Sequence, residues 1–168
     1  MADLTIALAG NPNAGKTTIF NALTGLRQHT GNWPGKTVEK KEGEIEHGEL
    51  TINVVDLPGT YSLTAYSPEE IIARDYIIEE RPDVVINVVD ATNLERNLYL
   101  TVQILELNVP VVMALNMTDD LHKDGARINA DQLSQLLGNV PVVFTTANQG
   151  IGITDLISKA IRSARKIQ

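Results

Sequence analysis

The sequence predicts an α/β domain, a six-stranded, mostly parallel sheet with one antiparallel strand, flanked by helices. Three observations predict it. Short runs of β-branched and aliphatic residues recur with little polar alternation, as strands covered on both faces require. Apolar patterns of helical period lie between most of those runs. One stretch, Thr37 to Asp56, holds two strands and no helix between them.

Each element follows in order. Residues 4–9 form the first strand-like run, ending at Gly10. Glu46-His47-Gly48-Glu49 reads as the turn of an antiparallel hairpin, with Gly48 supplying a positive φ, and residues 52–55 as the strand after it. Ser67-Pro68-Glu69-Glu70 is a capping box with proline at the first helical position. Ile71, Ile72 and Ile78 then fall near a helical spacing, with Asp75 as the polar exception. Residues 84–89 make the next strand, and Thr92-Asn93-Leu94-Glu95 a second capping box ahead of Leu98, Val102 and Leu105. Residues 111–115 and 142–144 are strand-like, and Ile153, Leu156, Ile157, Ala160 and Ile161 mark a last helix.

Composition bounds the function. The chain has 168 residues, enough for one domain with a real core. A hydrophobic fraction of 43% with a net charge of −7 excludes a disordered chain. No run approaches the roughly 18 apolar residues needed to cross a bilayer, and no secretory signal opens the chain. The absence of cysteine excludes disulfides, Cys-ligated zinc, iron–sulfur clusters and thiol catalysis. A pI near 4.9 argues against nucleic acid as a partner. The expectation is a soluble, cytoplasmic, single domain.

The strongest motif is Gly10-Asn11-Pro12-Asn13-Ala14-Gly15-Lys16-Thr17, which fits G-x-x-x-x-G-K-[ST] between a strand and a helix. Glycine lets backbone amides converge on phosphate oxygens. Lys16 adds a point charge for the β- and γ-phosphates, the Thr17 hydroxyl is a Mg²⁺ ligand, and Thr18 continues the cradle. A Gly-rich strand–helix turn without ligand would carry the same pattern.

Asn116-Met117-Thr118-Asp119 follows the 111–115 strand, at the carboxyl end where such sheets bind ligands. An ionised Asp119 can accept from both N1–H and the 2-amino group of guanine, whereas adenine offers neither donor there. Asn116 would tie this loop to the phosphate loop. Asn and Asp also favour plain turns. The order of motifs then matters: phosphate loop, Asp56-Leu57-Pro58-Gly59, Asn116 to Asp119, Thr146-Ala147-Asn148. That order matches Ras-like GTPases with a P-loop. Asp56 would hold Mg²⁺ through water, and the Gly59 amide would meet the γ-phosphate. In Trp33-Pro34-Gly35-Lys36-Thr37, Gly35 is a candidate phosphate contact and Thr37 the candidate Mg²⁺-binding switch threonine; a solvated loop threonine is its plainer reading. Thr146, Ala147 and Asn148 would back the guanine.

Where many GTPases orient the attacking water with a glutamine after Gly59, this chain has Thr60, and no arginine of the switch segments is an evident finger. Asn13 stands where potassium-activated GTPases carry the asparagine that holds K⁺, a fixed charge in place of that finger. Alternatively it only stabilises the loop turn.

Three blocks then carry a closer resemblance: residues 10–18; Asn32-Trp33-Pro34-Gly35-Lys36-Thr37-Val38-Glu39-Lys40-Lys41; and Asp56-Leu57-Pro58-Gly59-Thr60-Tyr61-Ser62-Leu63. With Asp90-Ala91-Thr92-Asn93-Leu94-Glu95-Arg96-Asn97-Leu98, they make the whole chain resemble the N-terminal cytoplasmic G domain of the ferrous iron transport protein B (FeoB) family. Lys36 departs from the small apolar residue, such as Val, common in that family. The resemblance implies a GTP-binding domain spanning 1–168 that hydrolyses GTP to GDP with Mg²⁺ and is stimulated by K⁺ held by Asn13 and by switch carbonyls near Gly31 and Trp33. Lys16, Asn13, Thr37 and Gly59 would then be its catalytic groups. It also implies a helical GDP-stabilising domain and membrane spans following a chain that ends in or just after its last helix. The full protein would import Fe²⁺, with this domain on the cytoplasmic face of the cell membrane. Weak or nucleotide-dependent self-association stays open. Two other readings stay open as well: a soluble potassium-type GTPase of ribosome or RNA processes, and a nucleotide-dependent interaction module.

Other signals are read plainly. Capping explains Ser67, Glu69 and Glu70. Asp119, Asp120, His122 and Asp124 fit a nucleotide contact beside an acidic loop rather than an iron site, and His29 and His47 read as surface residues.

Overall fold

The structure of the chain, a computed structural model, describes residues 2–164. The expected ending in or just after the last helix concerns residues 165–168, outside those described. A seven-stranded sheet runs in the order β2-β3-β4-β1-β5-β6-β7. Its strands are β1 Leu4–Gly10, β2 Gln28–Asn32, β3 Glu39–His47, β4 Leu50–Asp56, β5 Val84–Asp90, β6 Val111–Asn116 and β7 Val142–Phe144. The register places Ile6 beside Val54 on one side and Val84 on the other, both parallel. Strand β3 pairs antiparallel with both β2 and β4, so it alone runs against the rest. The single antiparallel strand stands as expected; the strand count does not. Strand β2 adds a seventh because Gln28-His29-Thr30-Gly31-Asn32 is polar throughout, an edge strand that shows no apolar pattern.

The central strands are apolar on both faces because both are covered. Leu4, Ile6, Leu8, Val84, Ile86 and Val88 pack with Ile19, Phe20, Leu156 and Ala160. The last four belong to helices α1 (Lys16–Thr24) and α6 (Ile153–Ser163). The alternate residues Ala7, Ala9, Val85 and Val89 meet the other face. There helices α2 (Pro68–Asp75), α3 (Leu94–Leu105) and α5 (Ala130–Leu136) contribute Ile72, Leu100 and Leu133. A short helix α4, Thr118–Lys123, follows β6. Among the described residues no helix is long and apolar enough to cross a membrane.

Three local expectations are corrected. After α2 the chain makes a π-helical turn over Tyr76–Glu80. The wider turn brings Ile77 inward at 3% exposure and leaves Ile78 at 48%. On α3 the buried stripe is Asn97, Leu100, Thr101 and Ile104, and Val102 is exposed. The Thr92–Glu95 box does not form: Asp90 Oδ1 accepts from Thr92 N and Oγ1, capping a 3₁₀ turn over Ala91–Asn93, and α3 opens at Leu94. At α2, by contrast, Ser67 Oγ accepts from Glu70 N at 3.1 Å, as expected. The Glu70 carboxylate accepts from Ser67 Oγ, Ser62 Oγ, Thr64 N and Thr64 Oγ1 rather than from the Ser67 amide, which lowers its pKa, chiefly through the Thr64 hydroxyl.

Candidate functional site

The carboxyl ends of the parallel strands deliver the site. Strand β1 ends at Gly10, and the loop to α1 turns through Asn13 at φ 70 and Gly15 at φ 94. Asn13 tolerates that left-handed backbone as few other residues do. Gly15 has a second constraint, since a Cβ there would collide with Nδ2 of Asn116. The loop residues Asn11, Pro12, Asn13, Gly15, Lys16, Thr17 and Thr18 line a cavity of about 510 Å³, joined by Gly59 and Met117. Gly59 lies against the loop, where its own Cβ would stand 3.3 Å from Pro12 Cα. The next residue, Thr60, is buried, and its amide donates to Gly10 O at 3.0 Å.

Lys16 Nζ donates to Asp56 Oδ1 at 2.5 Å, with the two side chains 10% and 8% exposed. The motif lysine is thus neutralised by the last residue of β4. Thr17 and Asn13 are exposed to the cavity mouth. Thr17 and Asp56 offer the hard oxygen donors, few in number, that suit Mg²⁺.

A second cavity, about 130 Å³, adjoins the first, sharing Gly15, Thr18 and Met117. Asn116, Asp119, Thr146, Ala147 and Asn148, the residues read from the sequence as a candidate guanine site, line it together with Asp120. Asn116 is its keystone, 3% exposed. Its Nδ2 donates to Ala14 O at 3.1 Å, and its Oδ1 accepts from Thr145 Oγ1 at 2.9 Å and Ala147 N at 3.1 Å. Three segments distant in sequence are joined by this one carboxamide. Met117, at φ 62, carries the chain from β6 into α4 and leaves Asp119 at the pocket edge, where Gln149 Nε2 donates to it at 3.4 Å. Thr145 carries no motif of its own; its position beside Thr146-Ala147-Asn148 is the one signal the sequence offers for it.

The structure does not bring the switch residues to these cavities. Gly31 is paired with Lys40 in the β2–β3 ladder. Trp33 is 7% exposed, its ring 5.7 Å from Tyr76 in an edge-on contact, with Lys40 Nζ 4.8 Å above it. The Trp33 carbonyl accepts from Lys36 N at 2.9 Å. Gly35 and Thr37 are exposed and line neither cavity. Trp33, Pro34 and Lys36 border a separate cavity of about 520 Å³ against Ile72 and Tyr76, without a glycine cradle. Burial, then Glu42, Glu80 and Asp83, raise the pKa of Tyr76.

Known proteins resemble this chain closely. The profile of the family described as "Ferrous iron transport protein B" matches residues 4–160. The Fe(2+) transporter FeoB of Salmonella typhimurium is 54% identical over 160 residues, covering 93% of this chain and 21% of that protein. A Fe(2+) transport protein A/Fe(2+) transporter FeoB fusion protein of Porphyromonas gingivalis is 52% identical over 159 residues, covering 94% and 19%. The chain thus spans about a fifth of the length of these curated relatives. A crystal structure of an S. thermophilus NFeoB mutant bound to mGDP superposes with a TM-score of 0.93 at 50% identity, covering 98% of this chain and 63% of that one. The FeoB G-domain of Methanococcus jannaschii gives 0.84 at 52% identity, covering 96% and 99%.

Proposed function

This chain belongs to the ferrous iron transport protein B family, and from that premise we propose that it is the GTP-binding, GTP-hydrolysing regulatory domain of a ferrous iron transporter. The observation that carries the reading is the pair of adjoining cavities, one lined by the phosphate loop and one by Asn116 and Asp119, locked together by Asn116.

Lys16 and the loop amides hold the phosphates, and Asp119 reads guanine through N1–H and the 2-amino group. Lys16 must exchange Asp56 for phosphate, and Thr17, with Asp56 acting through water, would then hold Mg²⁺. Thr37 would join them only if the switch segment left its present position. Asn13 would hold K⁺, and the carbonyls of Gly31 and Trp33 would join it only by the same movement. When bound, the two cations supply positive charge to the phosphate oxygens. Water attacks the γ-phosphate with no covalent enzyme intermediate, and the chain contributes positioning and fixed dipoles.

In the full-length protein, residues 1–168 are the G domain at the cytoplasmic face of the membrane, followed by helical and membrane domains. An interaction module in which hydrolysis is incidental is the second reading. It is favoured by buried Thr60 standing where a water-orienting glutamine is usual.

Titration with fluorescent GDP and ATP analogues, and phosphate release in K⁺ and in Na⁺ with and without Mg²⁺, test the proposal. Equal affinity for adenine and guanine nucleotides would overturn the GTPase reading. Equal turnover in K⁺ and Na⁺, or K⁺ stimulation retained by N13A, would remove the role of Asn13.

A further inference from the structure

A fourth cavity, about 110 Å³, lies against the phosphate loop on the side of α3. Asn11, Asn13, Tyr61, Asp90 and Arg96 help to line it. Asn11 opens onto this cavity and onto the phosphate cavity alike. Its side chain is 4% exposed, and neither Oδ1 nor Nδ2 has a hydrogen-bond partner within the protein. A buried carboxamide unpaired at both ends is rare and points to water, an ion or a functional role.

The surroundings narrow the choice. Asn97 is already committed: its Oδ1 accepts from Asp90 N at 3.1 Å, and its Nδ2 donates to Asn93 O at 2.8 Å. Arg96 covers the cavity by stacking over Tyr61, its guanidinium carbon 4.3 Å from the ring centroid. A guanidinium beside the cavity disfavours a cation, and the Asp90 carboxylate disfavours an anion. The mixed donors and acceptors, with room for more than one molecule, fit water. Asp90 also ends β5, which lies between β1 and β6. Alone among the ends of β1, β4, β5 and β6, it has no place in the nucleotide contacts proposed above.

We propose that Asn11 is a positioning residue for the switch, its carboxamide bridged by cavity water to Asp90 and Tyr61 under the cover of Arg96. The inference rests on the GTPase reading. Asn11 acts through its neighbours: Ala14 N donates to its carbonyl at 3.1 Å, and Asn13, the K⁺ candidate, lies two residues on. At the far end Tyr61 lies two residues beyond Gly59, the proposed γ-phosphate contact. Movement of Gly59 toward phosphate shifts Tyr61 against Arg96 and so alters the water that orients the loop.

The test compares GTP turnover at saturating nucleotide, and fluorescent-GDP affinity, in the wild type, N11S, N11L, R96A and N11L/R96A. Serine keeps a polar group beside the cavity, whereas leucine fills the space with an apolar isostere. N11L should lose turnover by roughly five- to tenfold, the worth of one hydrogen bond. N11S should lose about half that factor, and GDP affinity should stay within about twofold in R96A. R96A, at an exposed position, should also slow turnover, and less than additively with N11L. The reverse order, N11L active and N11S impaired, indicates mere space filling and overturns the inference; so does an unaffected R96A. A crystal structure of the wild type decides independently of catalysis. Water bonded to Asn11 and Asp90 supports the inference even if GTP turnover itself proves absent, and a direct bond from Asn11 to protein refutes it.

Discussion

Replacing Asn116 by alanine should weaken the fold and the nucleotide site together. The carboxamide is 3% exposed and makes three hydrogen bonds, to Ala14 O, Thr145 Oγ1 and Ala147 N. Each is worth about 1 kcal/mol net, and leaving buried partners unsatisfied adds to that, so the loss should total about 3–5 kcal/mol. For a domain of this size each kcal/mol lowers the melting temperature by roughly 2–4 °C, giving a drop of about 6–20 °C. The domain should still fold, because natural stabilities run to about 5–15 kcal/mol. Affinity should suffer too, since this side chain joins the phosphate loop to the base loop. A share of about 3 kcal/mol appearing in binding is a loss of roughly 10²-fold.

Asn116→Asp sharpens the test. It keeps the shape and the acceptor for Thr145 and Ala147 but sets an oxygen against Ala14 O, so it should lose the phosphate-loop link selectively. Urea unfolding followed by circular dichroism and fluorescent-GDP titration would measure both effects. A loss below about 1 kcal/mol for the alanine variant, less than one of its three hydrogen bonds is worth, would refute the reasoning. So would GDP affinity within about threefold of wild type, a change of less than 1 kcal/mol.

Asp119→Asn removes the ionised acceptor for guanine and should weaken GDP binding by about 10²-fold or more while improving competition by xanthosine diphosphate. Lys16→Ala strands the buried Asp56 carboxylate and should cost about 3–5 kcal/mol in urea unfolding, recovered in part by Lys16→Ala/Asp56→Ala. Trp33→Phe should be nearly neutral to stability. The roughly 40 Å³ it leaves costs about 1 kcal/mol, offset by deleting an indole N–H that has no partner; a destabilisation near that of Trp33→Ala would show the N–H is engaged. For Glu70 the folded pKa is depressed, so its contribution is complete above the ordinary carboxylate value and lost as pH falls through the folded one. The wild-type melting temperature should therefore fall more steeply below about pH 4.3 than that of Glu70→Gln.

The site was legible where its chemistry is contiguous. The phosphate loop, Asp56–Gly59 and Asn116–Asp119 each compress a backbone demand and a side-chain role into a few residues, and the parallel strands betray themselves by apolar runs. What stayed hidden depends on contacts across the chain. Strand β2 has no apolar face, since it borrows its order from β3. Ile78 fits a helical count until the π turn at Tyr76–Glu80 shifts the phase to Ile77. Glu70 sits correctly for a capping box, yet Ser62 and Thr64 offer its carboxylate more donors than the Ser67 amide would. Thr145 matters through a partner about 30 residues away, Asn116, and Asn11 shares a cavity with Asp90 about 80 residues on; no local pattern encodes either meeting.

The net charge of −7 makes the phosphate loop a problem of local electrostatics. Fields from distant carboxylates fade over about 8–10 Å in physiological salt, so an acidic surface does little harm beyond that range. Asp56 lies within it, and its pairing with Lys16 cancels the one side-chain cation of the loop. The attraction left in this arrangement comes from loop amides and the N-terminus of α1, which begins at Lys16 itself. A nucleotide polyanion can recruit Lys16 only if Asp56 gains another counter-charge, because a stranded buried carboxylate costs several kcal/mol. On the proposed reading Mg²⁺ is that counter-charge. Metal and phosphate binding are then coupled through the Lys16–Asp56 pair, and the coupling is reciprocal, as linkage requires.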